Sequence, residues 1–438
     1  MIRVISGCAC LSLVLCGVLA SSAAYGQDSL RERIKDENGS RTDVWVYNDI
    51  AAAREQARKE NKPVFVTFRC VPCQACAAFD ADVAKGNDTI RKLAKEKFIS
   101  VRQVEMKGVD LSLFQFDHDL NWAAMFINAD GTIYARYGTQ SAEGPDAYNS
   151  IEGLQATMER VLELHANYPD NKSQLAGKRG NRKIDSALNL PGLENPAKYK
   201  EETTRGNCIH CHNIHDAENR VAQRSPDFSF DLLWRYPLPD QLGLHIDRTD
   251  GVTVEKIDPE SPAAKAGFAA GEKIVSMNGQ AITSIADMQW VLHHVPNDSA
   301  SLKITGSKTG EKTVSVAKGW KEYDASWRGS MWSFSPVLRV YTPPASFDQR
   351  KELGLGEEHS ALRVQWINRG SEAGKSAFAA GLKEGDFVVA LDGEPIKPGT
   401  DHRTFNFHIK LNYKVGDELP LTVLRDGKQR VVKVKLVE

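Results

Sequence analysis

Hydrophobic and polar positions change their period several times along the 438-residue chain. Residues 48–60 follow the period of an amphipathic helix, and the apolar run 63–68 is typical of a buried strand. Two further apolar runs lie on either side of Asp130-Gly131, a dipeptide that favours a tight hairpin turn, and a helical pattern covers 153–167. Because helix and strand patterns alternate, residues 43–168 are predicted to form a layered α/β domain.

The next segment, residues 169–237, is polar and rich in Asn, Lys, Arg and Pro. It has too few apolar positions for a core of its own. Because a bound cofactor can replace a missing core, the pattern predicts a cofactor-binding linker here.

The C-terminal half contains an internal repeat. The run 261–279 is echoed by 377–393, and each copy combines small residues, a G-x-x-x-G-D/E-x-I/V pattern and an Asn-Gly or Asp-Gly turn. Each copy predicts short strands, a small helix, a second helix and a final strand. The two modules are expected at 238–319 and 348–438, on either side of a Trp-rich connector at 320–347.

The N-terminus has the three parts of a secretory signal peptide. Met1-Ile2-Arg3 is a short basic start, residues 4–20 are apolar, and small residues lead to Gly26. Cleavage is predicted after Gly26, which removes Cys8, Cys10 and Cys16. The alternative, an uncleaved anchor, would need a longer apolar stretch. The protein is therefore expected to be periplasmic or otherwise extracytoplasmic, with no membrane span after cleavage.

The overall composition is that of an ordinary globular protein, with 41% hydrophobic and 26% charged residues. The formal net charge of -1 provides no global basic field, so no nucleic-acid partner is expected. The chain also lacks the G-x-S-x-G pattern of a serine hydrolase.

Cys208-Ile209-His210-Cys211-His212 has the spacing C-x-x-C-H. At this spacing two thiols can add to the vinyl groups of a haem while the adjacent His binds its iron. In an exported chain the motif resembles the attachment site of c-type cytochromes. That resemblance implies a covalent haem c on Cys208 and Cys211, with His212 as the proximal ligand.

The haem prediction leaves the sixth iron ligand open and has two alternatives, a zinc site and a disulfide. Met331 lies between two tryptophans and is a candidate sixth ligand of the iron, or else a methionine that packs in an aromatic cluster. Cys208, Cys211 and either His212 or His215 could instead supply a tetrahedral zinc site. A single disulfide with surface histidines is the remaining alternative.

A second thiol cluster, Cys70, Cys73 and Cys76, follows the predicted strand 63–68. Cys73-Gln74-Ala75-Cys76 opens a predicted helix, whose N-terminus favours a thiolate. Strand, C-x-x-C and helix together resemble the thioredoxin fold, which implies that Cys73 is the nucleophile and Cys76 the resolving thiol. Cys70 is an additional thiol, either a second resolving thiol or a metal ligand. A structural disulfide or inert thiols are the alternative.

One position departs from the thioredoxin pattern. That family has a cis-proline before the strand that faces the C-x-x-C, whereas the corresponding slot near Trp122 holds no proline. Because a cis bond before another residue costs about 3–4 kcal/mol, a trans bond is expected there.

The two repeats resemble bacterial PDZ domains, in which a loop holds a peptide C-terminus and the next strand accepts the peptide by strand addition. The resemblance implies that the loops are Leu242-Gly243-Leu244 and Leu353-Gly354-Leu355, with flanking helices that begin near Ser284 and His402. The alternative is a structural PDZ module with a closed groove.

As a whole, the chain resembles a bacterial family of thioredoxin-like/PDZ (seleno)proteins, some members of which carry selenocysteine at a redox position. The implied fold is multidomain: an α/β thioredoxin-like domain, a short cofactor-binding linker and two PDZ-like α+β, mainly β, domains. The implied function is that of an exported thiol–disulfide and electron-transfer protein that binds peptide C-termini and a disulfide-containing protein substrate. The alternative is a non-catalytic scaffold with structural zinc or a disulfide.

Overall fold

The computed structural model describes residues 29–40, 43–72 and 77–438. The predicted signal peptide and the Cys73–Cys76 motif lie outside the described residues. The chain divides into two compact units. The first contains the chain up to Ile214 together with Tyr236–Lys321, and the second contains His215–Arg235 together with Glu322–Glu438. The predicted linker and the Trp-rich connector are therefore each divided between the two units.

The first unit begins with a mixed five-stranded sheet. Its strands are β1 (Trp45–Tyr47), β2 (Val64–Arg69), β3 (Ile99–Gln103), β4 (Trp122–Ile127) and β5 (Ile133–Tyr137). The spatial order is β1-β3-β2-β4-β5, with β1 and β2 parallel to β3 and the β4–β5 hairpin antiparallel to β2. This arrangement confirms the predicted layered α/β domain and the hairpin.

Helices cover the sheet, and all of those that follow except the helix Asp88–Glu96 lie where the sequence predicts them. They are α1 (Ile50–Glu60), α2 (Ala77–Ala81), α3 (Asp88–Glu96) and α4 (Ile151–Ala166), with a π-helical turn at Asp82–Gly86. Side chains cap their ends: Asp49 accepts from the N–H of Ala52, and Ser150 accepts from the N–H of Gly153. Cis peptide bonds in the described residues precede Pro169 and Pro336, so the bond before β4 is trans, as predicted.

The first part of the predicted linker packs on this domain. It contains α5 (Lys172–Leu175) and leads to α6 (His212–Ala222). Its few apolar side chains are buried, among them Leu175 and Ile209. Backbone contacts fix its path, since Leu111 donates its N–H to the Asp185 carbonyl at 3.1 Å. The segment thus shares the core of its neighbour, which compensates for the core that its own composition cannot supply.

The first repeat completes the first unit. Its strands are β6 (Leu244–Ile246), β7 (Val254–Ile257), β8 (Ile274–Met277), β9 (Gln280–Ala281), β10 (Ala300–Gly306) and β11 (Gly310–Val316), and its helices are α7 (Pro262–Ala266) and α8 (Ile285–His293). The strands form a sheet in the order β11-β10-β8-β9 and a separate β6–β7 pair.

Asp287 of α8 joins this repeat to the α/β domain. One carboxylate oxygen accepts from the backbone N–H of Arg136 in β5 at 3.1 Å. The other lies 2.5 Å from the ammonium nitrogen of Lys178, which is also fully buried. The Arg136 guanidinium then stacks 3.7 Å from the ring of Trp290. Both faces of α8 are buried as a result, and every residue from Ile285 to Leu292 is buried.

The second repeat lies in the second unit. Its strands are β12 (Val340–Tyr341), β13 (Leu362–Arg363), β14 (Trp366–Ile367), β15 (Phe387–Leu391), β16 (Glu394–Pro395), β17 (Glu418–Arg425) and β18 (Lys428–Lys435), and its helices are α9 (Phe347–Glu352), α10 (Glu372–Ala379) and α11 (His402–Asn412). The larger sheet has the order β13-β15-β17-β18 with β16 beside β15, and β12 pairs with β14. Within the described residues, no helix is both long and apolar enough to cross a bilayer.

Replacement of Asp287 tests the joint between the first repeat and the α/β domain. Asp287→Ala leaves the buried ammonium of Lys178 without its counter-charge, and breaking such a pair costs about 3–5 kcal/mol. We therefore expect a loss of that size in the free energy of unfolding measured by urea denaturation. Glu311→Ala, which removes an exposed partner of Lys303, should change it by less than about 1 kcal/mol. Equal effects of the two substitutions would contradict the role of Asp287.

Candidate functional sites

The C-x-x-C-H segment meets the end of the central strand β2. Cys70 is the residue that follows β2, and its side chain is half-buried. Its sulfur lies 2.6 Å from Nδ1 of His210, a residue 140 positions further along the chain. Cys70, the described thiol of the first cluster, therefore lies beside the C-x-x-C-H segment.

The two cysteines of the motif are enclosed. Cys208 is 5% exposed and Cys211 8% exposed. The Cys208 thiol donates to the backbone carbonyl of Val104 at 3.7 Å. Burial raises the pKa of Cys208, and the negative charge of Glu105 raises it further, so Cys208 stays a neutral thiol.

His210 occupies one of the variable positions of the motif, and sequence reasoning gave it no role. Burial and, to a smaller extent, the neighbouring His212, with ring centres 5.5 Å apart, lower the pKa of His210 to about 4. The imidazole is therefore neutral at pH 7. Its proximity to Cys70 could not be read from the sequence, because the contact depends on the path of the whole segment between them.

The cluster does not fit a haem as arranged. The space between the two motif cysteines and Cys70 has a volume of only about 10 Å³. Cofactor pockets have volumes of about 300–1,000 Å³, so a porphyrin has no room beside these sulfurs. The cavity is lined by Arg69, Cys70, Gln103, Val104, Met106, Cys208, Ile209, His210 and Cys211. Haem attachment stays a prediction from the motif that this geometry does not support.

The thiols and imidazoles around Cys70 do not form a three-donor zinc cluster either. No three donor atoms of Cys70, Cys208, His210, Cys211 and His212 lie within 4.8 Å of one another. The ligands of a tetrahedral zinc ion lie about 2.0–2.3 Å from the metal, and therefore within about 4 Å of each other. The described donors are thus arranged as a thiol–imidazole contact beside a buried thiol.

Met331 is a core residue. Its side chain is fully buried in a cluster with Leu233, Ala325, Phe334 and Phe407. These apolar neighbours account for its position between two tryptophans. The prediction of a sixth haem ligand is therefore not supported, and the packing alternative describes the residue.

A buried ionic network underlies the ends of β2 and β3. Arg102 donates to both carboxylate oxygens of Asp80, at 2.8 and 2.9 Å, and to those of Asp36, at 2.7 and 3.0 Å. Arg69, the residue before Cys70, lies 3.0 Å from the Asp80 carboxylate. Burial opposes the ionisation of Asp80, but the hydrogen bonds and charge of Arg102 outweigh it, with help from Arg69. The pKa of Asp80 is therefore below its ordinary value.

The second candidate site is a groove in the second repeat, between β12 and α11. His402, Asn406 and Lys410 are spaced four residues apart and present one face of α11 to it. The cavity has a volume of about 450 Å³ and is lined by Trp332, Val337, Leu338, Arg339, Val340, Tyr341, Trp366, Asn368, His402, Asn406 and Lys410. Its size is in the range of ligand-binding clefts.

The β12 strand directs backbone polar groups towards this groove. The carbonyls of Arg339 and Tyr341 accept from the N–H groups of Asn368 and Gln365, each at 3.0 Å. Because backbone groups alternate along a strand, the N–H and carbonyl of Val340 face the opposite side, towards α11. That side is the edge at which an added strand would pair.

The groove is basic. Its lining includes Arg339, His402 and Lys410 and contains no carboxylate. The Lys410 ammonium donates to the carbonyls of Phe334 and Pro336, the latter at 3.1 Å, and so holds the segment before β12. Burial lowers the pKa of Lys410 to about 7, and the charge of Arg339 contributes.

The peptide-binding loop predicted for the second repeat does not border this groove. Gly243, with φ of 76°, precedes β6, and the residue in the same place before β12 is Arg339, with φ of 53°. Leu353-Gly354-Leu355 instead ends α9, inside an insertion between β12 and β13. Gly354, with φ of 69°, terminates that helix. A glycine that ends a helix resembles a loop glycine in sequence, and a peptide-binding role for this segment stays a prediction from the resemblance.

The corresponding groove of the first repeat is closed by the chain itself. Counted from the N-cap, Gln289 and His293 occupy the same positions in α8 as Asn406 and Lys410 occupy in α11. Gln289 donates to the carbonyl of Tyr236 at 2.7 Å, and the Tyr236 ring stacks on His293 at 4.2 Å. The closed-groove alternative therefore describes the first repeat.

Sequence comparisons agree with this layout. A sequence model of the family described as Thioredoxin-like matches residues 45–129, and a PDZ domain model matches residues 241–317 and 363–436. The chain thus has an N-terminal thioredoxin-like domain followed by two PDZ domains. The second match begins after β12, so it omits the strand that borders the groove.

Several similar curated proteins are named probable periplasmic serine endoproteases, DegP-like. The protein from Marinomonas sp. (strain MWYL1) is 22% identical over 201 residues, which are 46% of this chain and 40% of that protein. The protein from Rhizobium meliloti (strain 1021) is 33% identical over 99 residues, which are 23% of this chain and 18% of that protein. The chain therefore spans less than half the length of these relatives.

The similar solved structures include two proteins of the HtrA type. An HtrA-type protease AlgW with a decapeptide is 18% identical, with a TM-score of 0.20, over 30% of this chain and 39% of that chain. The HtrA3 PDZ domain bound to a phage-derived ligand is 16% identical, with a TM-score of 0.18, over 24% of this chain and 86% of that chain.

The ionic network predicts a specific acid sensitivity. Because the pKa of Asp80 is lower in the folded than in the unfolded state, its contribution to stability is present above its ordinary pKa of 3.8 and is lost as the pH falls through the folded value. Asp80→Asn should therefore lower the free energy of unfolding at pH 7 by about 3 kcal/mol and weaken its decline in acid. Urea denaturation at pH 7 and at pH 3 measures both quantities.

Asp88→Asn is the matched control, because the Asp88 side chain is 88% exposed and pairs with Arg91 at the surface. It should change the free energy of unfolding by less than about 1 kcal/mol. An Asp80→Asn variant as stable as the parent at pH 7 would exclude the network as a source of stability.

Proposed function

We propose that this chain is an exported protein that captures the C-terminal ends of extended peptides in its second PDZ domain. The observation that carries the proposal is the 450 Å³ groove between β12 and α11, with one strand edge and one basic helix face. A peptide there adds as a strand beside β12 and pairs with the backbone of Val340.

The lining of the groove selects the chemistry of the peptide. Arg339 is exposed beside the loop that precedes β12, and the bound peptide ends at that loop with its carboxylate. Val337 and Leu338 provide an apolar surface for the last side chain. Because Arg339 gives the groove a positive charge and the lining has no carboxylate, we expect it to favour peptides with an acidic residue upstream of an apolar C-terminus.

Export is part of the same proposal. The signal-peptide pattern of residues 1–26 supports it, as do the names of the DegP-like relatives, which describe those proteins as periplasmic. In that compartment thiol pairs can cycle between oxidised and reduced forms. The alternative, a non-catalytic scaffold, shares the peptide groove and differs only in its thiol chemistry.

The second part of the proposal is thiol–disulfide exchange by Cys73 and Cys76 with a disulfide-containing protein substrate. The position of this C-x-x-C inside the thioredoxin-like match at 45–129, directly after β2, supports it. Neither haem nor zinc belongs to the proposal.

Peptide capture is tested by charge reversal at Arg339. The probe is a library of fluorescent decapeptides with an acidic residue upstream and an apolar C-terminal residue, measured by anisotropy with the full chain. Arg339→Glu should weaken binding of the best member at least about tenfold, since it opposes a carboxylate with a like charge. Amidation of the peptide C-terminus should weaken it as strongly.

Gly354→Ala tests the loop that the sequence predicted, because the added Cβ meets open space and the strain of an alanine at a φ of 69° falls outside the groove. The affinity of this variant for the best decapeptide should stay within about twofold of that of the parent protein. Loss of binding in Gly354→Ala but not in Arg339→Glu would indicate that the peptide binds at the loop Leu353-Gly354-Leu355, and it would contradict the groove proposal.

Dithiol exchange is tested by the reduction of insulin disulfides with dithiothreitol as the electron source. Cys73→Ser should slow the rate added by the full chain at least about tenfold, because it removes the nucleophilic thiolate. Arg339→Glu should leave that rate unchanged. A Cys73→Ser rate equal to that of the parent would favour the scaffold alternative.

A further inference from the structure

We propose that a pocket at the C-terminal end of α6 binds a small anionic amphiphile, that is, a molecule with one carboxylate or phosphate group on an apolar body. The pocket lies within the second unit and is separate from the peptide groove, because the two cavities have no lining residue in common. The inference depends neither on peptide capture nor on thiol chemistry.

The pocket has the size of a small-molecule site. Its volume is about 610 Å³, and clefts that enclose drug-sized ligands have volumes of about 300–1,000 Å³. Residues from the end of α6 and the turn after it, from the segment before β12 and from the turn after α11 surround it. An alkyl chain or a small ring system can therefore enter it.

The charge of the lining favours an anion. Arg220 lies in the last turn of α6, Arg224 follows that helix, and Lys414 follows α11. Glu438 is the one acidic residue of the lining, so basic side chains outnumber acidic ones by three to one. Arg224 and Lys414 are exposed and have no ion-pair partner among the described residues. Their charges are thus available to a ligand, and an arginine can donate two parallel N–H groups to a carboxylate or phosphate.

The lining also contains an aromatic surface. The rings of Phe228 and Phe230 meet edge to face with centres 4.9 Å apart, and both pack against Phe334, at 5.9 and 6.1 Å. Phe334 is buried and holds the two outer rings in place. Val415, which is 48% exposed, adds an aliphatic side chain to the lining. An apolar body that covers these side chains removes their surface from water, which favours binding.

The part of the wall that Gln223 forms is fixed before any ligand binds. Its Nε2 donates to the Ser333 carbonyl at 2.9 Å, and its Oε1 accepts from the Ser335 N–H at 2.6 Å. Asn219, one turn earlier in α6, donates to the Ser330 carbonyl at 3.1 Å and to the Ser333 hydroxyl at 3.0 Å. Because the ligand does not have to order these side chains, the entropic cost of binding is lower.

Only a ligand with both an acidic group and an apolar body matches this lining. Inorganic phosphate would meet the basic side chains but would leave the rings of Phe228 and Phe230 in contact with water. A neutral apolar molecule would cover the rings but would displace water from Arg224 and Lys414 without offering an acceptor in its place, which costs free energy. A molecule that carries both groups avoids both costs.

The test is isothermal titration calorimetry of the full chain with dodecanoate and with dodecyl phosphate, below the concentrations at which they form micelles. We expect saturable binding of one molecule per chain, and the probe with the higher affinity identifies the acidic group. Dodecyl maltoside, which has the same alkyl chain and no charge, should bind at least about tenfold more weakly. Hexanoate should bind at least about tenfold more weakly than dodecanoate, because it buries less apolar surface.

Charge reversal locates the site. Arg224→Glu should weaken binding of the better probe at least about tenfold, because it opposes the acidic group with a like charge. Lys414→Glu should act in the same direction. Arg430→Glu is the matched control, since it makes the same change of charge at an exposed residue of β18 outside the pocket. It should change the affinity by less than about twofold, because salt screens distant surface charges. Circular dichroism verifies that each variant is folded.

Three results would overturn the proposal. The first is the absence of saturable binding by both charged probes. The second is an affinity for dodecyl maltoside equal to that for the charged probes, since the basic side chains would then have no role. The third is loss of probe binding in Arg339→Glu but not in Arg224→Glu, which would assign the probes to the peptide groove. Because Arg224 does not line that groove, Arg224→Glu should bind the decapeptides as the parent does, whatever the result with the amphiphiles.

Discussion

The buried carboxylate of Asp287 holds together three parts of the first unit. It accepts from the backbone of β5, faces the ammonium of Lys178 and caps the start of its own helix α8 through Thr283. Because two buried charges are stable only when they stay together, the first PDZ domain, the sheet and the beginning of the polar linker are fixed as one body. The linker then continues from Lys178 to the C-x-x-C-H segment, whose Cys208 and His210 reach the end of β2.

This joint gives the two PDZ domains different roles. In the first, α8 is buried on both faces and Tyr236 covers the positions that would meet a peptide. In the second, the equivalent positions of α11 face a cavity, with Lys410 holding the segment before β12. One copy of the repeat therefore supports the thioredoxin-like domain, and the other copy supplies the groove.

The sequence predicts the elements of this chain better than its sites. Periodicity, the Asp130-Gly131 turn and the repeated glycine patterns correctly predict the α/β domain and both PDZ domains, because these signals are local. The loop before β12 was missed because Arg339 takes a left-handed conformation without a glycine, while Gly354 ends a nearby helix. The contact of Cys70 with His210 could not be predicted, since it joins residues 140 positions apart through a folded linker.

The central claim is that the first PDZ domain supports the thioredoxin-like domain, whereas the second PDZ domain captures the peptide. Hydrogen–deuterium exchange of the full chain, with and without a saturating peptide selected from the decapeptide library, tests it most directly. We predict slower exchange in the presence of peptide at β12 and α11, and unchanged, already slow exchange at β6 and α8. Peptide-dependent protection of β6 and α8, with no change at β12, would contradict the account.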